Sequence, residues 1–309
     1  MNNIKMDVQL SKIMPNKFRN WLHSNRYRFN VLWRWKAISK LAKDEIGYSV
    51  VYSQLYKSYF ALVNTAKYAK EAAANTTKVV WWCWLQGEDS APPICRACLN
   101  SLRTYLAGYE IKVITEKNMF EYIHPPQFVV EKYRNGIIGK THFSDILRTL
   151  LLVEHGGVWI DSTVLCTGYS TNLFSYPLFA FQNWKFNIPQ VMVSSSWLIS
   201  ASKGHPILCA TWDLLCMYWE RNNSLCHYFI FHMFFQMASE HYANLWKEVP
   251  RYSNIPPHIL QFELFEQYTS ERYEQIKSMS NFHKLTWKAK ELSEDVEGTF
   301  AKKILEDYL

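Results

Sequence analysis

Asp145, Arg148 and Asp161 are the residues whose types and spacing could do chemistry. The stretch THFSDILRTLLLVEHGGVWIDSTV, residues 141–164, ends a short apolar run on Asp161 and sets Asp145 and Arg148 three apart on the preceding segment. Residues three apart share a helix face, so this carboxylate and guanidinium can pair or project together into one cleft. An Asp at a strand end has two uses. It caps the following turn, for which Asp is a favoured residue, or it contacts a metal or a ribose. Magnesium and manganese bind through one or two carboxylates while phosphate oxygens and water complete the octahedron, so a single Asp is compatible with a cation that carries a diphosphate. Breaking a sugar nucleotide leaves a diphosphate whose charge must be neutralised in the transition state, by such a cation or by nearby Lys and Arg.

These residues need elements to position them. Ser144 is the expected N-cap of a helix whose apolar residues Ile146, Leu147, Leu150, Leu151 and Val153 bury one side. Gly156 and Gly157 stop it, one in the left-handed C′ conformation and one in a tight turn. A three-residue strand at 158–160 then presents Asp161. Upstream, KVVWWCWL (78–85) is a continuous apolar run suited to a strand buried on both faces of a parallel sheet. A polar loop at 86–92 follows, then a helix entered at Pro92-Pro93 and stopped by Gly108, a second strand at 109–115, and two helices over EKNMFEYI and PPQFVVEKYRNGI. This β-α-β-α order predicts a doubly wound α/β sheet, whose ligand site lies beyond the carboxyl ends of the strands. The 86–92 loop is then a wall of the site.

Further strands are expected at 177–184 and 191–201, helices at 205–222, 226–247 and 258–268, and a short strand in NFHKLTWK (281–288) that carries His283, Lys284 and Lys288. A helix near 297–308 ends the chain.

With 309 residues, 49% of them hydrophobic, the chain can bury a real core. Its 16% aromatic content, with 13 Trp, exceeds what a core requires and leaves rings for a cleft, a sugar or a membrane surface. No run of apolar residues reaches membrane-spanning length; CHYFIFHMFFQMA (226–238) is short and polar enough to be a buried helix. The N-terminus lacks the basic-then-apolar pattern of a signal peptide, which predicts a cytoplasmic protein. Seven scattered cysteines read as reduced core thiols, and Cys95-x-x-Cys98 as packing rather than half of a zinc site.

The formal charge of +7 is concentrated at one end: residues 1–80 carry 14 Lys and Arg against four acids. Residues 17–43 interleave Trp and Phe with Arg and Lys, as an interfacial helix on an anionic membrane would, although amphipathic helices also simply pack. The domain boundary is expected at ANTT, giving a basic, aromatic-rich helical region 1–77 and a main domain 78–309. No nucleic-acid-binding signature accompanies the charge, so nucleic acid is not an expected partner.

SDILR followed by EHGGVWID resembles the central signature of the capsular polysaccharide synthesis and glycosyltransferase family 32 group. There a Ser-Asp-x-x-Arg helix and Gly-Gly precede a strand that ends in an Asp-x-Asp motif. WCWLQGEDSAPP, KTHFSDILR, SSWLISASKGHPIL, YFIFH and FHKLTWK extend the likeness over roughly residues 78–290. The resemblance implies a GT-A (Rossmann-like) nucleotide-sugar-binding domain, here with large helical additions at the N-terminus and in the C-terminal half. It implies retaining transfer of a sugar, UDP-linked by expectation, to an oligosaccharide or lipid-linked acceptor in capsule, exopolysaccharide or O-antigen synthesis, at the inner face of the cell membrane.

Carried over residue by residue, Asp145 and Arg148 would contact the donor sugar and its diphosphate, and Asp161 would hold the first Asp-x-Asp position. Trp84, Gln86, Gly87, Gly157 and Lys284 would bind the donor nucleotide, and His283 would join Asp161 on Mn²⁺ or Mg²⁺. Thr163 stands where the motif has its second Asp. That departure weakens the case for a tightly held metal and admits an alternative, a GT-A scaffold that has lost catalysis and keeps glycan or nucleotide recognition.

Overall fold

The computed structural model describes residues 40–64, 67–69, 71–169, 172–183, 191–289, 292 and 296–309. Most of the basic, aromatic segment 17–43 lies outside them. The chain divides into two compact units, Met1–Ser53 and Gln54–Leu309. What is described of the first is the beginning of helix α1 (Lys40–Tyr59). Residues 54–77, expected to belong with the N-terminal region, fall in the second unit. Its packing gives the reason: the Asn75 side chain is buried and donates to Gly157 O at 3.2 Å and Ser200 Oγ at 3.0 Å, and Lys67 pairs with Asp213 at 2.9 Å.

The second unit is a mixed α/β structure around a five-stranded sheet ordered β2-β1-β3-β6-β5. Strand β1 (Val79–Cys83) runs parallel to β2 (Glu110–Ile114) on one side and to β3 (Gly157–Ile160) on the other. Strand β6 (Ser194–Ala201) reverses direction against β3 and forms an antiparallel pair with β5 (Leu178–Gln182). The parallel reading therefore holds for the first three strands. Because β6 is antiparallel, its amino end meets the carboxyl ends of β1 and β3 at one edge. A second, two-stranded sheet pairs β4 (Val164–Cys166) with β7 (Phe282–Lys284).

Crossover helices account for the order. Helix α2 (Pro93–Tyr105) has Pro at its first position and buries Ile94, Cys95, Cys98, Leu99 and Leu102, an apolar stripe at helical spacing. It packs on β4 and on the last helix, α11 (Phe300–Tyr308). Cys95 and Cys98 are core residues, and burial pushes the Cys95 thiol up to about 12. All seven cysteines are free. Two short helices, α3 (Met119–Tyr122) and α4 (Gln127–Arg134), lead to α5 (Lys140–His155). Helix α5 begins one turn before Ser144, with Gly139 as its N-cap, so Ser144 sits inside the helix on the cleft wall.

Gly156 ends α5 by donating to Leu152 O, at φ 75° and ψ −162°, an extended positive-φ conformation rather than the left-handed helical one. Gly157 follows at φ 96°. A Cβ on Gly156 would lie 2.7 Å from Lys203 N, and one on Gly157 2.6 Å from Val79 O, so both glycines let backbones close up at the amino end of β3.

The C-terminal half is helical: α6 (Pro206–Arg221), α7 (Ile230–His241), α8 (Ala243–Glu248), α9 (Ile259–Phe262) and α10 (Ser270–Met279). The helix expected over 226–247 breaks at Tyr242, and that expected over 258–268 is a single turn whose Phe262 is exposed. Helix α10, capped by Thr269 accepting from Arg272 N, escapes the sequence pattern because it buries only Tyr273 and Ile276. The aromatic surplus is largely core: Trp82, Trp159, Trp219, Phe143, Phe231, Phe234 and Phe282 are fully buried, each contributing roughly 1.5–3 kcal/mol. Among the described residues, no helix is long and apolar enough to cross a membrane.

Candidate active site

A cleft of about 760 Å³ opens at the carboxyl edge of β1 and β3. Its walls are the loop after β1, the first half of α5, the amino end of β6, the start of α7 and the segment that follows β7. Asp161 stands at the end of β3, its N–H donating to Trp197 O at 2.8 Å. The same edge receives Asp145 and Arg148 from α5, so one face of one helix and the end of one strand meet as the 145/148/161 spacing predicts.

Arg148 ties the two carboxylates together. Its NH2 donates to Asp161 Oδ1 at 3.3 Å, its NH1 donates to Ser196 O at 3.0 Å, and NH1 lies 3.4 Å from Asp145 Oδ1. The guanidinium carbon is 5.0 Å from the centre of the Trp159 ring and 5.8 Å from that of Phe231, so a buried cation is held between two π faces. Trp159 Nε1 also donates to Asp161 Oδ1 at 2.8 Å. Lys284 Nζ reaches Asp161 Oδ2 at 3.2 Å and donates to Thr163 Oγ1. Burial would raise the Asp161 carboxyl, but the Lys284 ammonium, the Arg148 guanidinium and the Trp159 hydrogen bond hold it below the ordinary value.

Behind α5 a buried indole and imidazole stand next to Asp145. Trp219 Nε1 can only donate, and it donates to His142 Nε2 at 2.9 Å. The proton of His142 is thereby placed on Nδ1, which lies 3.4 Å from Asp145 Oδ2. His142 is three residues before Asp145, a spacing legible in KTHFSD. Trp159 is two before Asp161 and shares its strand face. Both spacings are legible in the sequence. Ser196, Tyr228 and His232 reach the cleft only through tertiary folding. His232 is half-buried, its Nδ1 has no hydrogen-bond partner, and desolvation pushes the ring down to about 4.

The sequence-predicted nucleotide residues divide. Trp84 and Gln86 line the cleft, and Trp84 meets Trp287 edge to face at 5.5 Å between centroids. Gly87, at φ 97°, turns the chain into the single turn Glu88–Ser90 next to that wall. Lys284 lies inside the cleft. Gly157 does not: it sits at the opposite end of β3 from Asp161, packed on β1, and its role is backbone approach.

His283 is likewise turned away. Successive strand residues face opposite sides, so while Lys284 points to Asp161, His283 is wholly buried, its Nε2 3.0 Å from Thr167 Oγ1 and its ring pushed down to about 4 by burial. The expected pairing of His283 with Asp161 on a metal is therefore not formed.

Nor does the rest of the donor set fit a divalent cation. Asp161 Oδ1 accepts from Trp159 and Arg148, Oδ2 accepts from Lys284, and the Thr163 hydroxyl at the second motif position also accepts from Lys284. The place between these oxygens is taken by an ammonium. Among the described residues no group of three or more His, Cys, Asp or Glu could hold a metal ion.

A family model described as capsular polysaccharide synthesis protein matches residues 34–304, nearly the whole chain. The chain belongs to the capsular polysaccharide synthesis protein family. Membership in this capsular family supports a glycosyltransferase. The central, parallel-rich mixed sheet is consistent with a GT-A-like fold. Among solved structures, the PaToxG glycosyltransferase is 16% identical, with 75% of this chain and 94% of that chain covered at a TM-score of 0.40. A transferase carrying cysteine-to-serine substitutions is 9% identical, with 56% and 88% covered at a TM-score of 0.36. No curated protein matches.

Proposed function

We propose that this member of the capsular family is a retaining glycosyltransferase that moves a sugar from a nucleotide-diphosphate donor, by first expectation a UDP-sugar, to a glycan or lipid-linked glycan acceptor. The observation that carries the reading is the cluster of Asp161, Arg148 and Lys284 at the carboxyl edge of the sheet, where an α/β fold binds phosphorylated ligands. Trp84 and Gln86 lie along the same cleft and suit the base and ribose. Tyr228 and Trp287, 62% and 41% exposed, offer apolar faces on which sugar rings can lie.

In the transfer, the bond from the anomeric carbon to the diphosphate oxygen breaks and its electron pair leaves with the diphosphate. The acceptor oxygen bonds to the anomeric carbon, and its proton passes to the departing diphosphate oxygen. The charge on the sugar resembles an oxocarbenium ion at the midpoint. Front-face attack is favoured over a double displacement because Asp145 and Asp161, the carboxylates among the described residues that line the cleft, are both engaged by Arg148. A glycosyl adduct trapped on a side chain would overturn it.

Screening nucleotide sugars for release of nucleoside diphosphate, with melting-temperature shifts recorded on the same samples, tests the function. One donor should be cleaved or stabilise the protein, and Asp161→Ala should lose both effects. Binding without turnover in the presence of glycan acceptors would favour the scaffold that only recognises its ligand. Silence across all donors, with the variant indistinguishable from wild type, would leave Asp161 a turn former and overturn the reading. The basic segment 17–43 is assigned to an anionic membrane surface: binding to phosphatidylserine vesicles should fall with salt, and indifference to lipid charge would remove that role.

A further inference from the structure

The donor's diphosphate has to be neutralised, and the cleft already holds the means. Among the described residues its charged lining is Lys140, Arg148, Lys284 and Lys288 against Asp145 and Asp161, a surplus of two positive charges. A nucleotide sugar carries one negative charge on each phosphate of its diphosphate, so the cleft matches the donor without a cation from solution. Lys140 shares part of its charge with Glu116, 3.4 Å away outside the cleft.

Lys284 occupies the decisive place. It is delivered by β7, whose register sets Lys284 opposite Val164, and Leu285 N donating to Thr163 O at 2.8 Å locks the Asp161 turn to the end of that strand. An ammonium has three donors. One goes to Asp161 Oδ2 and one to Thr163 Oγ1. With its side chain 22% exposed in the cleft, Lys284 keeps the third for a ligand. Thr163 completes the arrangement: a hydroxyl accepts from an ammonium but offers no charge to a competing divalent ion, whereas a second carboxylate would. A metal ion entering between Asp161 and Thr163 would meet Lys284 Nζ, a like charge, at contact distance.

We propose that Lys284, held by Asp161 and Thr163, replaces the divalent cation as the counter-charge to the donor's diphosphate, so that donor binding needs no metal. This rests on the reading of the cleft as a nucleotide-sugar site and adds to it how that site handles charge.

Binding of UDP, with GDP, CDP, ADP and dTDP alongside, and of the matching nucleosides is measured by calorimetry in EDTA and again with Mn²⁺ or Mg²⁺. One diphosphate should bind with the same affinity in all three conditions. Lys284→Ala should weaken that diphosphate about tenfold or more, the loss expected for a charge-assisted hydrogen bond, while the nucleoside alone binds as before. Lys284→Arg should recover part of the loss.

Diphosphate binding that EDTA abolishes and metal restores would overturn the inference and leave the donor reading standing. So would a folded Lys284→Ala that binds the diphosphate as wild type does in EDTA. If no nucleoside diphosphate binds under any condition, the donor reading falls and the inference with it. The EDTA comparison on wild type needs no variant, so it decides even if Lys284→Ala fails to fold.

Discussion

Removing the charge of Asp161 affects three partners at once, because Trp159, Arg148 and Lys284 all donate to that carboxylate. Asp161→Asn keeps the shape, removes the counter-charge of Lys284 and leaves Arg148 paired with Asp145 alone. Release of nucleoside diphosphate should fall by about 10² or more, the scale seen when one preorganised electrostatic group is lost. Circular dichroism should show the fold retained. Turnover within about threefold of wild type would remove Asp161 from the machinery. Trp84 belongs to a different part of the ligand. Trp84→Ala should weaken the nucleoside by ~1 kcal/mol, about fivefold, and leave the extra affinity contributed by the diphosphate unchanged. A loss confined to the diphosphate would put the indole in the wrong place.

At the scale of elements, the turn between α5 and β3 separates two readings of the same glycine pair. In the sequence, Gly157 precedes Asp161 inside a donor-binding signature; in the structure its missing Cβ is what lets β3 close on β1. Gly157→Ala should therefore destabilise the protein by about 1–3 kcal/mol, the cost of a strained positive-φ residue, with added strain from the Val79 carbonyl. The fraction that folds should bind nucleoside diphosphate with wild-type affinity. Full stability with impaired binding would restore the donor-contact role. The pairing of β4 with β7 is the other decisive element, because its register and the strand alternation place Lys284 in the cleft and His283 in the core.

Across the whole molecule, three imidazoles that desolvation pushes far down set how stability responds to acid. Burial pushes His205, His232 and His283 each from 6.5 to about 4. Between those values the unfolded chain binds protons that the folded one does not, so stability rises with pH through the window, is complete above the unfolded value and is lost as pH falls toward 4. Asp161, held below the ordinary carboxylate value, adds its own loss only on further acidification. Scanning calorimetry should show the melting temperature falling from about pH 7 to about pH 5. His283→Gln, which keeps a partner for Thr167, should make that slope shallower. A flat profile would mean that these rings are hydrated in the folded protein.

The sequence by itself determined the local pieces. Apolar periodicity marked β1, α2, α5 and the core of α6, the three-residue spacing put Asp145 and Arg148 on one face, and the apolar run before Asp161 put it at a strand end. Each of these depends on contacts within a few residues, where helix and strand periods dictate which side chains share a face. The reversal of β6, the division of the 226–247 helix and the arrival of Tyr228 and His232 at the cleft were decided by tertiary structure. So was the choice between His283 and Lys284. The sequence offers both side by side, and only the pairing of a strand near residue 164 with one near residue 284 fixes which of them faces Asp161. That pairing joins segments more than a hundred residues apart, a distance over which no local pattern carries register.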